Sequence, residues 1–294
     1  MQQITVFTPT YNRRDLLERV YESLTSQTDK DFIWMVIDDG SSDTTSEYIK
    51  SLICVSPFKI EYYYKENGGL HTGYNCAISN LKTELCMCCD SDDWLPFDCI
   101  EKVKNKWNNR AITDVAGIVG LDFDRDGKTI GLRLPEQETI NLNKLYIHGK
   151  LIGDKKLVVR SELYKNLRPI ETINGEKNFN PNYYNVIISE NYDWLAMNEN
   201  LCFVEYQESG MANNIYYQYL NSPNSFIEIR KLYLNLSEAN LKFKFKHSIH
   251  LVSSCILAGK ASKALSYSPC KFITALAIPF GWLLSKYIKY KTRV

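Results

Sequence analysis

The sequence predicts an α/β fold, a mostly parallel sheet flanked by helices with a C-terminal helical appendage that is basic and apolar, and three features lead there. Apolar runs of strand length alternate with stretches of helical spacing over the first 90 residues. Three of those apolar runs end in a polar or acidic cluster. Beyond Glu238 the chain carries ten Lys/Arg and no Asp/Glu.

Ile4 to Thr8 reads as a buried strand, and Arg13 to Gln27 as a helix whose apolar residues Leu16, Leu17, Val20, Tyr21 and Leu24 recur at helical spacing. Trp34 to Ile37 is a second strand that stops at Asp38-Asp39-Gly40, and a polar helix start then leads to Tyr48, Ile49 and Leu52. Ile60 to Tyr64 is a third strand, Glu66 to Gly69 a turn, Gly73 to Leu81 a helix and Leu85 to Cys89 a fourth strand. Gly117 to Leu121 and Leu157 to Val159 are further strands, separated by a turn over Asp122 to Lys128 that lacks the closing Glu of a calcium loop. In parallel α/β sheets ligands gather beyond the carboxyl ends of the strands. Thr8 to Asn12, Asp38-Asp39 and Asp90 to Asp93 therefore share one rim.

Composition excludes several classes. With 45% hydrophobic residues the 294-residue chain can bury a sizeable core, so disorder is not expected. Met1-Gln2-Gln3 runs straight into the first strand without a signal-peptide pattern, which leads to an expected cytoplasmic location. Of the nine cysteines, Cys86, Cys88 and Cys89 share one apolar strand, where free thiols are expected rather than disulfides. The histidines at 71, 148, 247 and 250 are scattered, and no zinc pattern is present.

Charge is polarised along the chain. The first 238 residues carry 25 basic and 34 acidic side chains, a net of −9, so the cationic character is confined to the tail. Within it Phe272 to Ile288 is largely apolar, is interrupted by Pro279 and Gly281, contains Lys286 near its end and is followed by Lys289, Lys291 and Arg293. Its 17 residues fall short of the roughly 20 that span a bilayer. Either an interfacial anchor on an anionic membrane surface or a helix docked on the protein accounts for it. Nucleic acid is not an expected partner, because the apolar run has no role there.

Asp90, Asp92 and Asp93 deliver three carboxylates within four residues. Like charges so close repel unless a cation lies between them, and Mn²⁺ or Mg²⁺ with diphosphate oxygens suits such a group. The other reading is that Asp92 or Asp93 caps a helix starting near Pro96. Caps explain each polar cluster separately but not why all load the same rim, which favours a metal-nucleotide site.

Phe7-Thr8-Pro9-Thr10-Tyr11-Asn12, Val36 to Asp43 and Asp90-Ser91-Asp92-Asp93, in that order and each after a strand, resemble the family 2 glycosyltransferases over residues 3 to 125. The resemblance implies a GT-A fold and an inverting transfer. It implies that Thr8, Pro9, Thr10, Tyr11 and Asn12 lie along the nucleotide, that Asp39 accepts from the base, and that Asp92 and Asp93, with Asp90 nearer the ribose, hold the metal beside the small Ser91. Glu66 to Asn75 resembles a subset with Asn-Gly-Gly-Lys-His, with Leu70 where the lysine is usual. There Gly69, His71 and Asn75 would border the phosphates.

An inverting transfer needs a general base. Glu190 and Asp193 resemble a family acid pair, but in the register of the subset they fall at the start of a strand, away from the rim. The Pro-Glu of that subset aligns with Asn180-Pro181, so one acid is missing. This leaves Glu176 as the expected base and Asp154 in reserve. The resulting expectation is a catalytic domain over 1–215 (nucleotide half 1–125, acceptor half 126–215) and a helical, membrane-associated region over 216–294. It would move a sugar from a nucleotide diphosphate, a UDP-sugar foremost, to a glycan or lipid-linked acceptor at the inner face of the cell membrane, in cell-surface polysaccharide synthesis. The alternative is a weak or inactive nucleotide-sugar binding or scaffold protein on the same fold.

Overall fold

The computed structural model describes residues 2–173, 175–207 and 214–292, so Arg293 of the basic tail lies outside the described residues. In chain order the elements are β1 (Ile4–Thr10), α1 (Arg14–Thr25), β2 (Ile33–Asp38), α2 (Thr45–Ile53), β3 (Lys59–Tyr64), α3 (Leu70–Asn80), β4 (Leu85–Cys88), α4 (Cys99–Asn108), β5 (Gly117–Phe123) and β6 (Thr139–Ile140). There follow α5 (Leu142–Ile147), β7 (Lys155–Arg160), α6 (Ser161–Lys165), α7 (Asn182–Ile188), β8 (Trp194–Phe203), α8 (Ile215–Asn221), α9 (Pro223–Leu234), α10 (Leu241–Leu257), α11 (Ala264–Tyr267) and α12 (Lys271–Lys291). The chain divides into two compact units, Met1–Pro169 with Ile187–Glu205, and Ile170–Val186 with Tyr206–Val294.

The first unit is built on one eight-stranded sheet of order β3-β2-β1-β4-β7-β5-β8-β6. β1, β2, β3 and β4 pair in parallel, as do β5 and β8, whereas β7 runs antiparallel to both of its neighbours and β6 antiparallel to β8. The parallel strands are covered on both faces, which is why β1 and β2 read as unbroken apolar runs rather than alternating ones. Ile4 and Val6 pack with Leu17, Val20 and Leu24 of α1 and Trp107 of α4, while Phe7 meets Tyr74 of α3 edge-on at 5.0 Å. Because β7 is reversed, its beginning rather than its end reaches the rim formed by the carboxyl ends of β1, β2, β4 and β5. That reversal brings residues 154–156 to the acidic cluster, and no local pattern announces it.

Several element boundaries differ from the sequence reading by one to three residues, and two of them bear on the site. α3 starts at Leu70, three residues early, because Gly69 adopts φ 92° and lets the chain turn directly into the helix. β5 extends to Phe123, so Asp122 is a strand residue and not part of the turn. All nine cysteines are free, five of them buried.

The second unit contains α8 to α12 around Ile227, Leu234, Leu251, Val252, Cys255 and Ala264. Asn240 caps α10 by accepting from the Phe243 amide at 2.9 Å. α12 passes through Pro279 as one helix of 21 residues, and Gly281 lets it approach α10 closely: a Cβ there would lie 2.5 Å from the Val252 Cβ. Gly281 is thus a packing device, and the helix continues through the exposed Pro279 without interruption. Among the described residues no helix is long and apolar enough to cross a membrane.

Gly117 starts β5 at φ 153°, and a Cβ there would stand 1.9 Å from the Val158 carbonyl oxygen of β7. Backbone cannot yield as a side chain does, so Gly117→Ala should lower unfolding free energy by about 2 kcal/mol or more in thermal or urea melts. Gly127→Ala, at a turn with nothing within 4 Å, should cost less.

Candidate active site

The rim begins where β1 ends. Thr8 is buried, and its Oγ1 accepts the Trp34 indole N–H at 3.0 Å, so it belongs to the core and not to a nucleotide surface. Pro9 packs on Gly73, whose missing side chain lets α3 approach the strand. Thr10 is buried with no hydrogen-bond partner for its Oγ1 among the described residues, and Tyr11 is half-exposed. Asn12 adopts φ 51°, a conformation Asn tolerates better than most residues. Its amide donates to Ser41 Oγ at 2.9 Å and its Oδ1 accepts from the Ser42 amide at 2.8 Å, tying the β1 and β2 loops together.

Asp38 is fixed by the Ser41 amide and the Tyr62 hydroxyl at 2.8 and 2.6 Å. Asp39 organises the next loop. Its Oδ1 accepts from Lys65 and from the Gly68 amide, and its Oδ2 from the Gly69 amide at 2.8 Å and Asn67 Nδ2 at 3.2 Å. A carboxylate has about four lone-pair sites, and all four are used within the chain. The expected open acceptor for a base is therefore a loop anchor in this structure. His71 is buried in the first turn of α3, and Asn75, one turn on, is half-buried.

Beyond β4 the three acids part company. Asp93 is buried, and its Oδ2 lies 3.6 Å from Lys156 Nζ and 3.8 Å from Cys202 Sγ. Asp92 is partly exposed and pairs with Arg13 at 3.1 Å, and the same guanidinium donates to Ser91 Oγ at 3.2 Å. Asp90 is partly exposed, and its Oδ1 accepts from the Cys88 thiol at 3.4 Å. Neither Asp92 nor Asp93 caps a helix, since α4 begins at Cys99 behind Asp98. Arg19 holds the loop from behind by donating to the Asp92 carbonyl and pairing with Glu205, with its guanidinium 4.3 Å from the Trp94 ring.

Lys156 is the residue the sequence reading missed. Its Nζ donates to the Cys88 carbonyl at 3.2 Å and faces Asp93, which places a buried cation beneath the acidic loop. Burial works against its charge, but Cys202, Asp122 and Asp93 outweigh that and raise its pKa. Burial likewise pushes the Asp93 carboxyl up against the pull of Lys156, with Asp90, Asp92 and Asp122 adding repulsion. Asp122 is pushed up to about 6, mainly by burial, although Lys156 pulls it down. The available signal was strand alternation: Lys156 lies two residues before buried Val158 and so shares its inward face.

A family model for glycosyl transferase family 2 matches residues 5–167, more than half of the chain. The chain belongs to glycosyl transferase family 2. It is 33% identical over 104 residues to the glycosyltransferase GlyA of Streptococcus pneumoniae serotype 4, a stretch that is 35% of this chain and 15% of GlyA. The chain thus spans well under two thirds of that curated relative. S. aureus TarS 1–349, solved in complex with UDP-GlcNAc, has a similar fold at TM-score 0.66 and 15% identity, over 98% of this chain and 90% of TarS. A mannosyltransferase of Pyrobaculum calidifontis, solved with GDP-Man and Mn²⁺, matches at TM-score 0.56 and 18% identity, over 99% and 82%. The fold is that of GT-A transferases.

In this glycosyltransferase domain the expected three-acid metal set is corrected. Among the described residues no three His, Cys, Asp or Glu side chains are grouped to hold one ion. Asp93 turns inward toward Lys156, leaving Asp90 and Asp92 as the two partly exposed carboxylates of the β4 loop. That pair fits a divalent cation, which commonly takes one or two protein carboxylates and completes its shell with phosphate oxygens and water. Burial and the neighbouring Asp90 raise the Asp92 carboxyl despite Arg13, a repulsion that one guanidinium does not cancel.

The expected base is corrected as well. Glu176 lies in the second unit, and its carboxylate accepts from the amide and Nδ2 of Asn224 and from the amide and Oγ of Ser225, at 2.7 to 2.9 Å. It is occupied in capping the first turn of α9. Asp154 is exposed just ahead of β7, within electrostatic reach of Asp122. Glu190 and Asp193 accept from Asn143 and Asn141 at the start of β8, the edge opposite the rim.

Lys156→Met should leave Asp93 and Asp122 without their buried cation and cost about 3 kcal/mol or more in urea unfolding. Asp122 titrates near 6 when folded against 3.8 ordinarily. Its contribution to stability is complete at the acid end and is lost as pH rises through 6. Stability-versus-pH profiles of Asp122→Asn should lack that decline.

Proposed function

We propose that this domain is a metal-dependent inverting glycosyltransferase that moves a sugar from a nucleotide diphosphate, a UDP-sugar foremost, to a hydroxyl of a glycan or lipid-linked acceptor. The observation that carries the reading is a single rim with partly exposed Asp90 and Asp92 in front and buried Lys156 behind. The nucleotide would lie along Thr10, Tyr11 and Asn12 and the loop at Gly69, His71 and Asn75, with Asp39 acting on it through the loop it anchors. Asp90 and Asp92 would hold Mn²⁺ or Mg²⁺, as the Mn²⁺ bound by the P. calidifontis mannosyltransferase supports. The ion supplies Lewis-acid charge neutralisation at the departing diphosphate.

The chain's own groups have separate tasks. Arg13 orients Asp92 and Ser91, and Lys156 withdraws Asp93 so that the loop keeps its shape. Asp154 is the favoured base for the acceptor hydroxyl, since Glu176 already holds four hydrogen bonds. Inversion requires only one such base, set opposite the leaving diphosphate. A lipid-linked acceptor in cell-surface polysaccharide synthesis would place the enzyme at the inner face of the cell membrane.

Nucleotide release with a panel of UDP- and GDP-sugars and added Mn²⁺ tests the activity. Asp92→Asn should weaken metal-dependent donor binding at least tenfold. Asp154→Asn should lower kcat by about 10²- to 10⁴-fold with donor KM little changed, the range typical of a lost general base. Donor binding without release from any sugar nucleotide would instead favour the binding-protein reading.

A further inference from the structure

α12 is turned inside out for a helix bordering water. Its small residues Thr274, Ala277, Gly281 and Ser285 are buried together with Ile288, and the Thr274 hydroxyl lies 3.0 Å from Ser248 Oγ of α10. Most of its large residues face outward, although Ile288 is buried and the Phe280 and Tyr287 rings each meet a neighbour edge-on, Phe245 and Tyr216, at 5.7 Å. Phe272, Leu276, Phe280, Leu283, Tyr287 and Tyr290 recur at steps of four and three residues, which draws one stripe along the helix. Every one is at least 45% exposed, Phe272 and Tyr290 above 70%. A helix docked only on its own protein would place such side chains inward and small or polar ones outward.

Two occupants suit an apolar stripe, a second copy of the chain or a lipid surface, and the charges distinguish them. Lys271, Lys286, Lys289 and Lys291 share α12 with the stripe, and no Asp or Glu occurs after Glu238. Pairing two such helices would bring like charges together with no acid in the segment to answer them, whereas flanking acids and bases are what normally permit helix pairing. An anionic bilayer answers the same lysines directly. Lys286 and Lys291 already lie over the Trp282 and Tyr287 rings at 5.5 and 5.8 Å, keeping cation and aromatic together as at a membrane interface. Because no described helix is long and apolar enough to cross a bilayer, α12 would lie along its surface, roughly 30 Å of contact at 1.5 Å per residue.

We propose that α12 is a membrane-docking helix that inserts the stripe from Phe272 to Tyr290 into the headgroup region of an anionic lipid surface, with its small-residue face held on α10. This deepens the membrane placement proposed above, and its test reads lipid binding alone, so it can fail while sugar transfer stands. The probe is vesicle co-sedimentation of the full chain with phosphatidylcholine vesicles containing about a quarter phosphatidylglycerol, against phosphatidylcholine alone, with Trp fluorescence followed in parallel. Binding to the anionic vesicles with a blue shift is expected. The double variant Leu276→Asp/Leu283→Asp should bind at least tenfold more weakly with an unchanged melting temperature, because both residues are exposed. Lys286→Gln/Lys289→Gln should weaken binding to anionic vesicles only. No binding by the wild-type chain, or equal binding by the Asp double variant, overturns the proposal. So does a wild-type dimer in sedimentation velocity that the Asp variant abolishes while vesicle binding is absent.

Discussion

The acidic rim depends on Lys156. Asp90, Asp92, Asp93 and Asp122 are close enough that burial and mutual repulsion raise several of their pKa values, and a loop carrying that charge would open without a cation beneath it. Lys156 reaches Asp93 and the Cys88 carbonyl from β7, the strand inserted antiparallel between β4 and β5. The energetics of buried pairs explain why this contact matters more than the exposed ones. Removing one partner of a buried pair leaves an uncompensated charge, whereas an exposed pair such as Lys82 with Glu61 contributes on the order of 1 kcal/mol or less.

With Asp93 withdrawn, the remaining parts of the site are held by contacts between loops. Asn12 joins the β1 loop to Ser41 and Ser42, Asp39 gathers residues 65–69, and Arg13 ties α1 to Ser91 and Asp92. Each loop follows a rigid parallel strand, so the polar groups are positioned by the sheet and locked to one another across it. A donor that engages this surface meets groups that are already ordered, which lowers the entropic cost of assembling the site.

Much of the architecture was legible in the residues themselves. Unbroken apolar runs at Ile4, Trp34 and Leu85, each ending in polar residues, can be satisfied only by strands covered on both faces, and the rim followed from their parallel direction. What misled was partner choice. Asp90, Asp92 and Asp93 look equivalent in a row, yet one turns inward toward a lysine more than 60 residues away. Glu176 looks like a loop acid until α9 presents four donors to it.

By itself, then, the sequence determined the order of strands and helices through β4, the family motifs and the absence of acids behind Glu238, because these depend on periodicity and composition along the chain. Tertiary structure alone decided that β7 runs backwards through the sheet, that Lys156 neutralises the acids, that Asp39 and Glu176 serve as anchors, and that α12 turns most of its large residues outward. Those outcomes depend on which groups meet across long separations. Hydrogen bonding and charge compensation in a buried site are set by that meeting and leave no periodic trace in the chain.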